Sequence, residues 1–186
     1  MTGLALACCA VVATAQEEQG QGGELREQVQ QQREETKEFL QQQKTENQEF
    51  REQLKEAPKG GIVGAIKDQI TQQHEENQEF INKQHDENLS YLKERLAKTN
   101  LTAAQQEEIL KLLEEQFKER IKLRDARYKE LMTMIETLAA DDSKTLEQKK
   151  ADLKAYIVKA MEEAKNLRGK QKGERKGERA KVKGAK

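Results

Sequence analysis

From Ile109 to Leu138 an apolar residue returns every three, four or seven positions: Ile109, Leu112, Leu113, Phe117, Ile121, Tyr128, Leu131, Met132, Ile135 and Leu138. That spacing is one continuous stripe on a long helix, and such a stripe must be covered by another helix. Little else in the chain can cover it. Charged residues make up 37% of the sequence and aromatics 4%, with no Trp, so a thick globular core is excluded. A single Pro leaves almost nothing to interrupt helix, and the abundant Glu, Gln, Lys, Ala and Leu all favour it. The expected fold is all-α: long antiparallel hairpins or coiled coil, about four helices in all.

The stripe has a defined start. Leu101-Thr102-Ala103-Ala104-Gln105 places Thr102 as an N-cap and Gln105 three residues later, a Thr-x-x-Gln capping box. Lys144-Thr145-Leu146-Glu147-Gln148 keeps Thr-x-x-Gln and has Lys in the leading position. Leu-Thr-x-x-Gln at the head of a long charged helix resembles the motif of the Spy/CpxP family of periplasmic stress proteins, over residues 98–167. The resemblance implies an all-helical, ATP-independent chaperone or envelope-stress modulator, some relatives being metal-responsive. The family usually shows two full copies of the motif and lacks the long Gln/Glu-rich segment that precedes Leu101 here.

That segment, residues 24–98, reads as a helical hairpin. Its first helix carries Leu25, Val29, Phe39, Leu40, Phe50 and Leu54. Ala57-Pro58-Lys59-Gly60-Gly61 breaks it, and Ile62, Val63, Ile66 and Ile70 open a second helix that runs through Phe80, Ile81, Tyr91, Leu92 and Leu96. Glu46-Asn47-Gln48-Glu49-Phe50 recurs letter for letter at Glu76–Phe80, and Phe39/Phe50 and Phe80/Tyr91 are each eleven residues apart. Thr36, Asn47, Asn77 and Asn88 each precede one of those aromatics by three. An eleven-residue period favours straight or slightly right-handed packing. Folding at the Gly pair sets Phe50 against Ile70, Phe39 against Phe80, and Gln43 near Asn77, so aromatic and amide layers alternate. Residues 99–167 form the second hairpin, joined through Ala140–Ser143. There Leu138 should meet Leu146, Leu131 meet Leu153, Tyr128 meet Tyr156, and Phe117 meet Leu167.

A net charge of zero conceals a division. Residues 168–186 hold nine Lys or Arg against two Glu, so the body before them is acidic. Repeated Lys-Gly-Glu-Arg at Lys172–Arg175 and Lys176–Arg179 suggests a disordered basic tail over 168–186. At the other end, the apolar run Leu4–Val12 is too short to span a bilayer and closes on Ala13-Thr14-Ala15, a signal-peptide pattern cut after Ala15. The first residues lack Lys or Arg. A lipoprotein with Cys8 modified, and an uncleaved apolar N-terminus, are the alternatives. Cutting after Ala15 exports the mature chain to the periplasm and removes Cys8 and Cys9, its only cysteines. Residues 16–23 read as a disordered polar leader.

No catalytic constellation emerges: no phosphate-cradling loop, no mature Cys, no Ser-His-acid set, so an enzyme is not expected and no cofactor is implied. His74 and His85 lie in parallel copies of the repeat beside carboxylates and are the metal candidates. About 16 Å of helix separates them, so they cannot share one site. A solvated polar face is the default for both. Leu110, Leu123 and Met134, with Val158, stand off the main stripe ringed by charge, and form the candidate surface for holding partly folded clients. The expected function is a periplasmic chaperone-like or envelope-stress binding protein. A structural coiled-coil scaffold of the envelope and a metal-responsive regulator are the alternatives. Expected partners are unfolded or envelope proteins, a second copy in a homodimer, and anionic surfaces for the basic tail. Specific nucleic-acid binding is not expected, since no aromatic is interleaved with the basic residues.

Overall fold

The computed structural model describes residues 22–56 and 61–184. The segment expected to be a signal peptide over 1–15, most of the expected polar leader and the break at 57–60 lie outside the described residues. Four helices follow one another: α1 (Gly22–Glu56), α2 (Ile62–Ala97), α3 (Ala103–Ala140) and α4 (Leu146–Gly184). No strand occurs among the described residues. The all-α reading stands, with helix boundaries close to those expected for α2 and α3. Helix α1 starts at Gly22, so the leader expected over 16–23 reaches into helix by two residues.

The chain divides into two units, Met1–Asn77 and Gln78–Lys186. The division falls inside α2, where the sequence suggested 98/99. In the second unit the His85 imidazole of α2 is stacked on the Phe117 ring of α3 at 3.6 Å between centroids.

In the first unit the eleven-residue repeat has a specific role. The Asn47 side-chain amide donates to the Gln43 carbonyl at 2.8 Å, and Asn77 donates likewise to the carbonyl of Gln73. Thr36 Oγ1 donates to the Gln32 carbonyl at 2.7 Å. Asn88, in the second unit, repeats the bond to the Gln84 carbonyl at 2.7 Å. Each repeat thus returns a polar side chain onto its own helix one turn back. Gln43, four residues before Asn47, is 3% exposed.

In the second unit α3 and α4 pack antiparallel. Gln116 meets Gln171, Glu119 meets Lys170, and Arg127 meets Tyr156. The expected meeting of Tyr128 with Tyr156 is right to within one residue. Phe117, expected against Leu167, carries the His85 ring on one face. Buried apolar side chains among the described residues are few: Leu96, Leu131 and Ala160, beside the polar Gln32, Gln43, Gln116 and Gln171. The thin core expected from composition is what the helices enclose.

Residues 168–184, expected to be disordered, are the last part of α4. Like-charge repulsion is relieved there by carboxylates: Lys170 pairs with Glu119 across the interface and Lys181 with Glu178. Gln171, 1% exposed, anchors the same stretch on α3. Three helical glycines, Gly169, Gly173 and Gly177, have nothing within 4 Å of where a Cβ would stand, so they face open space and do not weaken the packed side.

Candidate functional site

Both Thr-x-x-Gln boxes are built. At the head of α3 the Thr102 N–H donates to Gln105 Oε1 at 3.0 Å, and the Gln105 N–H donates to Thr102 Oγ1 at 3.3 Å. At the head of α4 the Thr145 N–H donates to Gln148 Oε1 at 2.8 Å and the Gln148 N–H to Thr145 Oγ1 at 3.3 Å. Lys in place of Leu at 144 changes nothing in that geometry, because the box uses only Thr and Gln. Lys144 instead reaches Asp152 at 2.9 Å, which raises its pKa through that hydrogen bond and the carboxylate charge. Leu101 contributes its carbonyl, which accepts from Gln106 Nε2 at 3.1 Å.

Between α3 and α4 lies a polar cluster. Gln116 Nε2 donates to the Gln171 carbonyl at 3.1 Å, and Gln171 Nε2 donates to the Gln116 carbonyl at 2.9 Å. Arg175 donates to Gln116 Oε1 at 2.7 Å, and Gln116 Nε2 also donates to Glu174 Oε2 at 2.8 Å. Glu119 accepts from Lys170 and Gln171, and these two hydrogen bonds, Lys170's first, lower its pKa. Gln116 is 2% exposed and both its side-chain atoms are bonded. The cluster is closed and self-satisfied, an arrangement that fixes register and offers no room to a ligand. Further along, the Tyr156 hydroxyl donates to the Arg127 carbonyl at 2.7 Å. Burial, then the Glu130 carboxylate, pushes this phenol up to about 12.

Sequence reasoning missed Gln116 and Gln171. A signal was available: the α4 heptad through Leu153, Ala160 and Leu167 reaches Gln171 when carried one turn further, and Gln116 adjoins Phe117 on the α3 stripe.

Of the metal candidates, His85 has one ring face covered by Phe117. Burial first, with Arg120 contributing, lowers its pKa against the opposing pull of Asp86 and Glu114. Arg120 stands 5.8 Å from the centroid of the same phenyl ring. His85 is thus half-buried, with that ring face turned to α3. His74 lies in the first unit, and no group of three metal-binding side chains occurs among the described residues.

Leu110, Leu123 and Met134 are half-buried, because the stripe of α3 is wide enough to take them in. The large apolar side chains that stand out are on α4: Leu146 at 66%, Val158 at 57% and Met161 at 46% exposure. No helix among the described residues is long and apolar enough to cross a membrane. Compared with known proteins, the chain matches no family model, no curated protein and no solved structure.

Proposed function

We propose that the chain is a non-enzymatic helical scaffold protein of the cell envelope, exported by cleavage after Ala15. The observation that supports this reading is the closed polar clasp of Gln116 and Gln171. Buried amides that satisfy each other across an interface cost stability relative to apolar packing and contribute a single register. The surface expected to hold clients, Leu110, Leu123 and Met134, is half-buried. A spacer needs a defined length: α3 and α4 make a hairpin about 57 Å long at 1.5 Å per residue. Catalysis has no support, for the carboxyls displaced from their usual range, Glu119 and Asp141, are held low, the direction that unsuits a general acid.

Chaperone-like holding is the second reading, favoured by the two complete Thr-x-x-Gln boxes. Light scattering of an aggregating client at several-fold excess of the full chain separates the two. The scaffold reading expects no delay in aggregation; a clear delay overturns it and installs the holding function. Export has its own check, an intact mass beginning at Gln16.

A further inference from the structure

We infer that the outward face of α4 docks on an anionic lipid bilayer. Lys154, Val158, Met161, Lys165, Lys172 and Lys176 follow one another at helical spacing and lie within about 60° of one line along the helix, at 100° per residue. All six are exposed. The side turned the other way carries Tyr156, Ala160 and Gln171, which face α3 or are buried. Charge and shape both point outward.

The lysines of this strip differ from their neighbours. Lys150, Lys159, Lys170 and Lys181 each have a carboxylate partner. Lys154, Lys165, Lys172 and Lys176 have none among the described residues. Glu162, exposed at one edge, is the nearest acidic residue in sequence to Lys165 on that side of the helix. Four uncompensated cations thus span about 33 Å of helix. An anionic partner of comparable extent and little relief satisfies them together, and Gly169, with nothing within 4 Å of its Cβ position, adds no relief of its own.

Val158 and Met161 decide the class of partner. An exposed apolar pair set among lysines gains nothing from a sugar-phosphate backbone, and the strip carries no aromatic on which a base could stack. On a bilayer the same pair enters the boundary between headgroup and acyl chain while the lysines remain at the phosphates. Attraction starts at the negative surface potential, which decays over a Debye length of about 8 Å at physiological salt. Two apolar side chains are too few to hold the helix without that attraction, so docking is reversible and salt-sensitive. The inference is independent of whether the α3–α4 hairpin serves as a scaffold or as a holder of clients.

The test is co-sedimentation of the full chain with two sets of vesicles, pure phosphatidylcholine and phosphatidylcholine with about a quarter phosphatidylglycerol. The readout is the ratio of partition between them, which cancels any affinity for bilayers that does not depend on their charge. At low salt the ratio should exceed about tenfold, and it should approach one at about 0.5 M salt. Lys165→Glu/Lys172→Glu/Lys176→Glu should abolish the preference with helicity retained. Val158→Ser/Met161→Ser should lower partition onto anionic vesicles several-fold and leave retention on a heparin column unchanged. A ratio of one for the wild type, or a preference that survives the triple charge reversal, overturns the inference. Equal effects of the Val158/Met161 pair on vesicles and heparin, or no effect on vesicles, overturn it too and assign the strip to a soluble polyanion.

Discussion

The side chains of Gln116 and Gln171 each donate to the other's backbone carbonyl, at 3.1 and 2.9 Å, across the α3–α4 interface. These bonds are added to helices that already satisfy their own ladders, and the Gln116 carbonyl accepts from Arg120 Nε at 3.3 Å as well. Replacing Gln171 alone by Leu should cost about 1–3 kcal/mol, since the buried Gln116 carbonyl loses a donor. Replacing Gln116 and Gln171 together by Leu should cost less than the two single changes combined, and can come out stabilising. Guanidinium unfolding of the four proteins in the cycle measures this. Strict additivity would show that the two amides do not act as a pair.

His85 makes stability depend on pH. Its folded pKa lies below 6.5, so the unfolded chain binds the proton more readily. Stability is therefore greatest above 6.5 and is lost as pH falls through that value toward the folded pKa. Thermal melting between about pH 7.5 and 5.5 should show the loss, and His85→Phe, which keeps the stack on Phe117, should remove its share of the slope. Glu119 adds a separate loss, confined to the range below 4.5 where its carboxyl protonates.

Tyr156 works in the alkaline range with the opposite sign. Its pKa rises from 10.0 to about 12, so the folded chain keeps the proton that the unfolded chain releases. The contribution is whole below pH 10 and disappears as pH rises toward 12. Tyr156→Phe should flatten that alkaline decline and lower stability at neutral pH by about 1 kcal/mol, the worth of the bond to the Arg127 carbonyl. Melting curves at about pH 7 and pH 11 give both quantities.

Gly173 and Gly177 supply the clearest stabilising change. Both are helical, and a Cβ on either meets nothing within 4 Å. Gly173→Ala/Gly177→Ala should raise stability by about 0.5–1 kcal/mol per site through reduced chain entropy. A fall in helicity at the α4 end, seen by hydrogen exchange, would contradict the helix there.

Much of this architecture is legible in the residues. Thr102 with Gln105 announces a helix start because a capping box is completed within four residues of sequence. The stripe through Leu131 announces the α3–α4 seam for the same local reason. The end of α4 is not legible that way. Read locally, residues 168–184 are glycine and like charge; what orders them is Gln116, Glu119 and the interface they line, more than fifty positions earlier. His85 fails in the same manner, since its partner Phe117 lies on the next helix. The exposed face of α4 becomes legible only when helix is granted to the region that sequence alone assigned to coil.

The bonds of Asn47 to Gln43 and of Asn77 to Gln73 have a mechanical consequence. A helix whose polar pattern repeats after three whole turns is nearly its own image when slid by about 16 Å. A neighbour reading only that pattern meets equivalent seats one step up or down, like a ruler with identical graduations. The α3–α4 seam has no such repeat, for the Gln116–Gln171 clasp is made once there. The repeat therefore supplies graduations and the α3–α4 seam a zero mark, and erasing the mark would leave lengths defined only to the nearest graduation.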